Sequence, residues 1–134
     1  MKDKILFWVD VGLEHFGIAK FLEKNYECDL YVIYESKHAL KKSFLNQKIV
    51  DFKKEWYFYD HICNFSKKPD MNYLQKFEEK YKINLWNIIY NERLFYKFNN
   101  FYKFKRNELL SIMEKQCKFF EKILVEIKPD YLAI

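Results

Sequence analysis

The stretch KILFWVDVGLEHFGIAKFLEKNYECDLYVIYE, Lys4 to Glu35, decides the fold class. Lys4 to Val11 is a continuous apolar run rich in β-branched and aromatic residues, broken only by Asp10. Such a run reads as a strand buried on both faces, the mark of a parallel sheet rather than a half-exposed one. Gly12 follows, and LEHFGIAKFLEKN then takes a helical period. Leu13, Phe16, Ala19 or Lys20, and Leu22 share one stripe, while Glu14, Lys24 and Asn25 face water. Cys28 to Glu35 is a second strand of the same apolar kind. Strand, helix, strand with short connections requires a crossover, and therefore parallel strands.

Ser36 to Gln47 reads as a second helix with Ser36 as N-cap, and Ile49 to Phe52 as the start of a third short strand. The expected architecture is α/β, a Rossmann-like three-layer domain with a mostly parallel sheet of about four to five strands and flanking helices. Glu55 to Ile62 (EWYFYDHI) is either a fourth strand or an aromatic loop. Ser-Lys-Lys-Pro-Asp then turns the chain into MNYLQKFEEKYK, a helix whose Leu74, Phe77 and Tyr81 share a face and whose first turn suits Pro69. Asn84 caps LWNIIYNERLFYKF, a helix whose end the aromatic-rich stretch from Tyr90 to Phe104 leaves open. Asn107 is the expected cap of ELLSIMEKQCKFFEKILVEIK, whose Leu109, Ile112, Met113, Cys117, Phe120, Ile123, Leu124 and Ile127 form an apolar stripe. Lys128-Pro129-Asp130 ends that helix and YLAI opens the next strand.

Composition narrows the function classes. The chain has 134 residues, enough for one compact domain, and half are apolar, which argues against disorder. Its net charge of +5 comes almost wholly from Lys, scattered between acidic residues, with Arg only at Arg93 and Arg106. A dedicated nucleic-acid binder concentrates its charge and uses Arg forks, so nucleic acid is a weak expectation. A solvated Lys-rich surface fits better, with attraction to an anionic membrane face or a phosphorylated substrate as its alternative. Cys28, Cys63 and Cys117 are odd in number and far apart, which suggests reduced, mostly buried thiols rather than a disulfide framework or zinc site. The N-terminus reads as a strand rather than a signal peptide, and no apolar run reaches the roughly 18 residues of a spanning helix. The expected location is cytoplasmic, with peripheral contact at the inner membrane face as a variant. No cofactor and no metal are implied.

The sharpest local feature is Val9 to Gly17, where the first strand turns into the first helix. In open α/β sheets ligands bind beyond the carboxyl ends of strands, and helix N-termini favour anionic groups. Gly12 can take the tight turn, and Gly17 can let the helix approach the sheet. Two glycines five apart are not GxGxxG, so a dinucleotide is not expected. His15 falls in the first turn of the helix. A neutral imidazole there can take a proton from a hydroxyl nucleophile, oriented by Asp10 or Glu14. Farther on, Arg93, Lys97, Lys103, Lys105 and Arg106 interleave with seven aromatic residues between Tyr90 and Phe104. That mixture can bind single strands, stack on sugar rings, rest on a membrane interface, or simply pack rings inward and lysines outward.

NYLQKFEEKYKINLWNIIYNERLFYKFNNFYKF, followed by ELLSIMEKQCKFFEKILVEIKPDYLAI, resembles the amino-terminal region of capsule or surface polysaccharide biosynthesis proteins of the GT-B glycosyltransferase type. KILFWVDVGLEHFGIAKFLEK is similar to the opening strand, loop and helix of such transferases. The resemblance implies that residues 1–134 are a single Rossmann-like domain, the acceptor-side half of a longer two-domain enzyme. A carbohydrate or lipid-linked sugar acceptor would bind here, and a second domain would bring the nucleotide-sugar. It places the base on His15 and leaves the isolated chain inactive; the residues themselves make Gly12, Gly17 and Arg93 the candidate substrate contacts. Two other readings compete: a non-catalytic, flavodoxin-like interaction or regulatory domain, and a basic module for single-stranded nucleic acid.

Overall fold

The computed structural model describes residues 2–10, 12–36, 38–63, 68–92, 95 and 101–134. They divide into two compact units. Met1–Asp60 with Ile123–Ile134 forms the sheet unit, and His61–Lys122 forms a helical unit.

The sheet unit contains four parallel strands in the order β3-β2-β1-β4. They are β1 (Asp3–Val9), β2 (Cys28–Tyr34), β3 (Lys54–Tyr57) and β4 (Tyr131–Ala133). Phe7 pairs with Val32 on one side of β1 and with Ala133 on the other, while Tyr34 pairs with Tyr57 across β2 and β3. The fold is therefore α/β with an all-parallel sheet, as the apolar runs of β1 and β2 required. Alternation along the strands sends Ile5, Phe7, Val9, Leu30, Val32 and Tyr34 to one face. There Phe16 and Ala19 of α1 (Glu14–Asn25) and Phe44 of α2 (Lys41–Leu45) complete a continuous core. Phe16 stacks on Phe44 and on Tyr34, with centroids 5.8 and 6.3 Å apart. Leu6, Trp8, Ile33 and Trp56 occupy the other face. Lys54 pairs with Glu126, and Lys4 Nζ donates to the Ile127 carbonyl at 3.0 Å. These contacts bring the last turn of α6 (Arg106–Ile127) beside that second face.

β4 enters the sheet through a defined turn. Lys128 adopts a left-handed conformation (φ 51°), and Asp130 N donates to Lys4 O while Asp130 Oδ2 accepts from Lys4 N. The chain thus joins the free side of β1, and the strand order reverses between β1 and β4. That reversal is the position at which open α/β sheets hold ligands.

Several sequence expectations change. Ile49 to Phe52 is not a strand; β3 begins two residues beyond it and overlaps the first part of the stretch read as a fourth strand or loop, whose remainder, Phe58–Ile62, is helical. Val50 and Phe52 are buried because this segment plugs the core. Its backbone is tied by the Gln47 side chain, which accepts from Ile49 N and Val50 N and donates to Val50 O. The second helix is short, a single 3-10 turn at His38–Leu40 leading into α2, and the buried Ser36 hydroxyl caps nothing. Leu13 lies outside the α1 stripe at 72% exposure, because it occupies the N-cap position. Of the cysteines only Cys117 is buried; Cys63 is exposed and Cys28 half-buried.

The helical unit is built on α4 (Met71–Tyr81), α5 (Leu85–Asn91) and most of α6; α3 (Phe58–Ile62) leads into it. Leu74, Leu85, Ile89, Phe95, Leu109, Leu110, Ile112, Met113 and Cys117 make its core. Asn84 caps α5 as expected, accepting from Trp86 N and Asn87 N. Pro69 precedes α4 rather than occupying its first turn, and Asp70 is the cap, accepting from Tyr73 N. Asn107 does not cap α6. Glu108 instead reaches back to Lys105 N, half of a capping box, so the helix begins one residue before the asparagine. Along α6 the buried stripe takes in Leu110 and Phe119, whereas Leu124 is exposed.

Candidate functional site

The candidate site lies at the carboxyl end of β1. Asp10 is exposed immediately after the strand, and its Oδ1 accepts from Gly12 N at 3.2 Å, forming a tight Asx-type turn. A Cβ added at Gly12 would fall on the Glu14 carboxylate, so the missing side chain makes room for that acid to fold back over the loop. Gly12 does not adopt a positive φ. Its role here is space rather than backbone freedom. The loop thus brings two carboxylates, those of Asp10 and Glu14, against Gly12 at the start of α1.

His15 follows in the first turn of α1 and is half-buried. Its Nδ1 is fully buried and has no hydrogen-bond partner, so neither Asp10 nor Glu14 orients the ring through that nitrogen. Phe16, the next residue, anchors the turn in the sheet core. Gly17 differs from expectation: it is exposed, and a Cβ there would meet nothing within 4 Å, so it does not bring the helix closer to the sheet.

The carboxyl ends of β2 and β3 add residues that the sequence reading did not single out. Glu35 follows β2, its N donates to Val9 O at 2.7 Å, and its carboxylate accepts from Trp8 Nε1 at 2.8 Å and from Tyr59 OH at 3.4 Å. Tyr57 OH donates to Ser36 O at 2.5 Å, while the Ser36 hydroxyl is buried without a partner. Lys41 pairs with Asp60 at 2.5 Å and lies 4.9 Å from the centre of the Tyr57 ring. The only sequence signal for Glu35 was an acid closing a buried strand, as Asp10 does. Its partners are 24 and 27 residues away in the chain, beyond any local pattern.

Behind this edge, Tyr34 and Glu55 meet on the core face. Burial, reinforced by the Glu55 charge, pushes the Tyr34 phenol far above its ordinary pKa. Burial also raises the Glu55 carboxyl, against the opposing influence of the nearby Tyr34 hydroxyl and Gln47 amide.

In the helical unit Arg93 lies outside the described residues, as does Lys97. Lys103, Lys105 and Arg106 are exposed. Among their aromatic neighbours Phe95 is buried and packs edge-on against Phe104 at 5.3 Å, while Tyr90 and Phe101 face solvent. Glu121 collects donors from Tyr73 OH at 2.8 Å, Tyr81 OH at 2.9 Å and Lys80 Nζ at 3.0 Å. Burial opposes its ionisation, but these donors outweigh it and hold the carboxyl below its usual range. Burial, with the Glu121 charge, pushes the Cys117 thiol up to about 12, so this cysteine is an inert core group. Among the described residues no three His, Cys, Asp or Glu side chains converge as metal ligands, and no helix is long and apolar enough to cross a membrane.

Comparison with protein-family models, with curated proteins and with solved structures finds no match to this chain.

Proposed function

We propose that this chain is the acceptor-binding half of a GT-B-type glycosyltransferase that builds surface or capsular polysaccharide, with His15 as the base. The observation that carries the reading is the buried, unpartnered Nδ1 of His15 in the first turn of α1, beside the point where strand order reverses. A buried polar atom without a partner costs about 1–3 kcal/mol. A hydroxyl admitted to that nitrogen by a shift of the loop removes that cost and at the same time stands where it can lose its proton.

In this mechanism the acceptor hydroxyl gives its proton to the His15 imidazole as its oxygen bonds to the anomeric carbon of the donor sugar. The bond from that carbon to the nucleoside diphosphate breaks, and the diphosphate leaves with the bonding electrons. The donor nucleotide would be brought by a second domain, and a lipid-linked acceptor would account for peripheral membrane contact.

The reading is tested by titrating isotope-labelled protein with neutral and acidic oligosaccharides and with a short-chain lipid-linked sugar. Amide resonances of Asp10, Gly12 and His15 should move, and His15→Ala should weaken the response. Saturating millimolar acceptor that leaves this loop unmoved would remove the proposal.

A further inference from the structure

The helical unit carries a second candidate site that the transferase reading does not use. Trp86 and Tyr90 stand one turn apart on α5, with ring centroids 5.8 Å apart. Arg106, in the first turn of α6, lays its guanidinium over the Trp86 ring, 5.4 Å from the centroid. Together with Leu109 these side chains line an open cavity of about 470 Å³. That volume falls within the range of small-ligand sites. Trp86 is half-buried and fixed against the unit's core, whereas Tyr90 is 65% exposed and Arg106 is exposed.

We propose that this cavity binds a pyranose sugar carrying an anionic substituent, a carboxylate or a phosphate. The indole and phenol rings offer apolar faces to the C–H groups of a sugar ring, and each aromatic residue keeps a polar tip at the rim. The guanidinium presents a planar fork that matches a carboxylate or phosphate, and its stacking on Trp86 holds that fork in place before ligand arrives. Neighbouring Lys103 and Lys105 add positive charge. Glu108, in the first turn of α6, accepts hydrogen bonds from Lys105 N and Tyr102 OH, both at 2.8 Å, which ties it to the start of that helix. A neutral sugar would use the rings alone and bind more weakly; a bare anion would use only Arg106. The combination selects a ligand that is both ring and charge. The proposal stands on the helical unit alone and survives the loss of any role for His15.

The test follows the Trp86 indole N–H resonance during titration with glucuronate, glucose 6-phosphate, glucose and inorganic phosphate. The Trp86 signal should move with both acidic sugars at millimolar concentration, and at least fivefold more weakly with glucose or phosphate. Tyr90→Ala should weaken the acidic sugars without unfolding the protein, because that ring is largely exposed. Arg106→Gln should reduce their affinity about tenfold and bring them level with glucose, whereas Arg106→Lys should keep part of the preference. The proposal is overturned if inorganic phosphate alone reproduces the shift, if glucose binds as well as glucuronate, or if Arg106→Gln leaves the preference intact. Comparing glucuronate with glucose 6-phosphate decides which anion the site prefers.

Discussion

The sheet unit and the helical unit differ in how they treat a few buried polar groups. In the helical unit Glu121 receives three donors, Glu108 two, and the helix starts at α4 and α5 are capped by Asp70 and Asn84. In the sheet unit the Ser36 hydroxyl and His15 Nδ1 are buried without partners, and Glu55 is pushed toward its neutral form. Ser111 is the helical unit's exception. Native proteins satisfy nearly all buried polar atoms, so a group of exceptions calls for a cause. These two lie in the segments that follow β1 and β2, the side on which such sheets bind ligands. The contrast is sharpest at the strand ends, where Trp8 and Tyr59 hold Glu35 but the Ser36 hydroxyl and His15 Nδ1 stay buried and unpaired.

The comparison can be broken most severely at His15. In a complete, transfer-competent enzyme, His15→Ala should lower turnover by roughly 10²–10⁴-fold while leaving thermal unfolding nearly unchanged. A near-normal rate would reduce the unpartnered nitrogen to a packing defect. Next in size are the two cores. Phe7→Ala, at a fully buried site in the sheet, should cost about 3–5 kcal/mol, and Ile89→Ala, equally buried in the helical unit, about 2–5 kcal/mol. Denaturant unfolding measures both costs. Hydrogen exchange should accelerate first in β1 and β2 for the former and in α5 and α6 for the latter, and uniform acceleration would deny the division into two units.

How much of this was legible in the sequence follows from how local each cause is. β1, α1 and β2 could be read because their signals are runs and periods within a dozen residues, and the Lys-Pro-Asp turn into β4 could be read for the same reason. Asn84 was legible as a cap, yet Asn107 was not, because Glu108 reached back to Lys105 N and moved the helix start. β3 was misplaced because a buried apolar segment looks alike as a strand or as a plug. Gln47, not a strand ladder, satisfies the backbone of Ile49 and Val50. At the site, the loop from Asp10 to His15 was visible as a strand-to-helix turn. Glu35 was not, since Trp8 and Tyr59 hold it through contacts that only the folded chain makes. The expected role of Gly17 failed on geometry, because nothing crowds that position.

Smaller effects sharpen the comparison. Asn84→Ala should cost about 1 kcal/mol through lost capping of α5, seen as a lowered denaturant midpoint with an unchanged slope. The two carboxylates should then show opposite pH signs. Glu121 has a depressed pKa, so its contribution is present above the unfolded value, roughly pH 4, and is lost as pH falls through the folded value. Glu121→Gln should therefore destabilise at neutral pH, and the deficit should shrink in acid. Glu55 has a raised pKa, so the folded state holds its proton more tightly and stability is lost as pH rises through the folded value. Glu55→Gln should gain on the wild type as pH rises from about 4 to neutrality, as measured by midpoints at several pH values. Parallel trends for the two variants would contradict the contrast drawn between the units.

The central claim is that acceptor lands at the loop between β1 and α1, and the chain carries its own controls for testing it. Its three histidines are His15 at that loop and the exposed His38 and His61. Diethyl pyrocarbonate modification can be followed at each by peptide mass spectrometry, with and without saturating oligosaccharide acceptor. The account predicts that acceptor slows modification of His15 severalfold and leaves the rates at His38 and His61 unchanged. Equal rates at His15 with and without acceptor, under conditions where binding is independently observed, would contradict it.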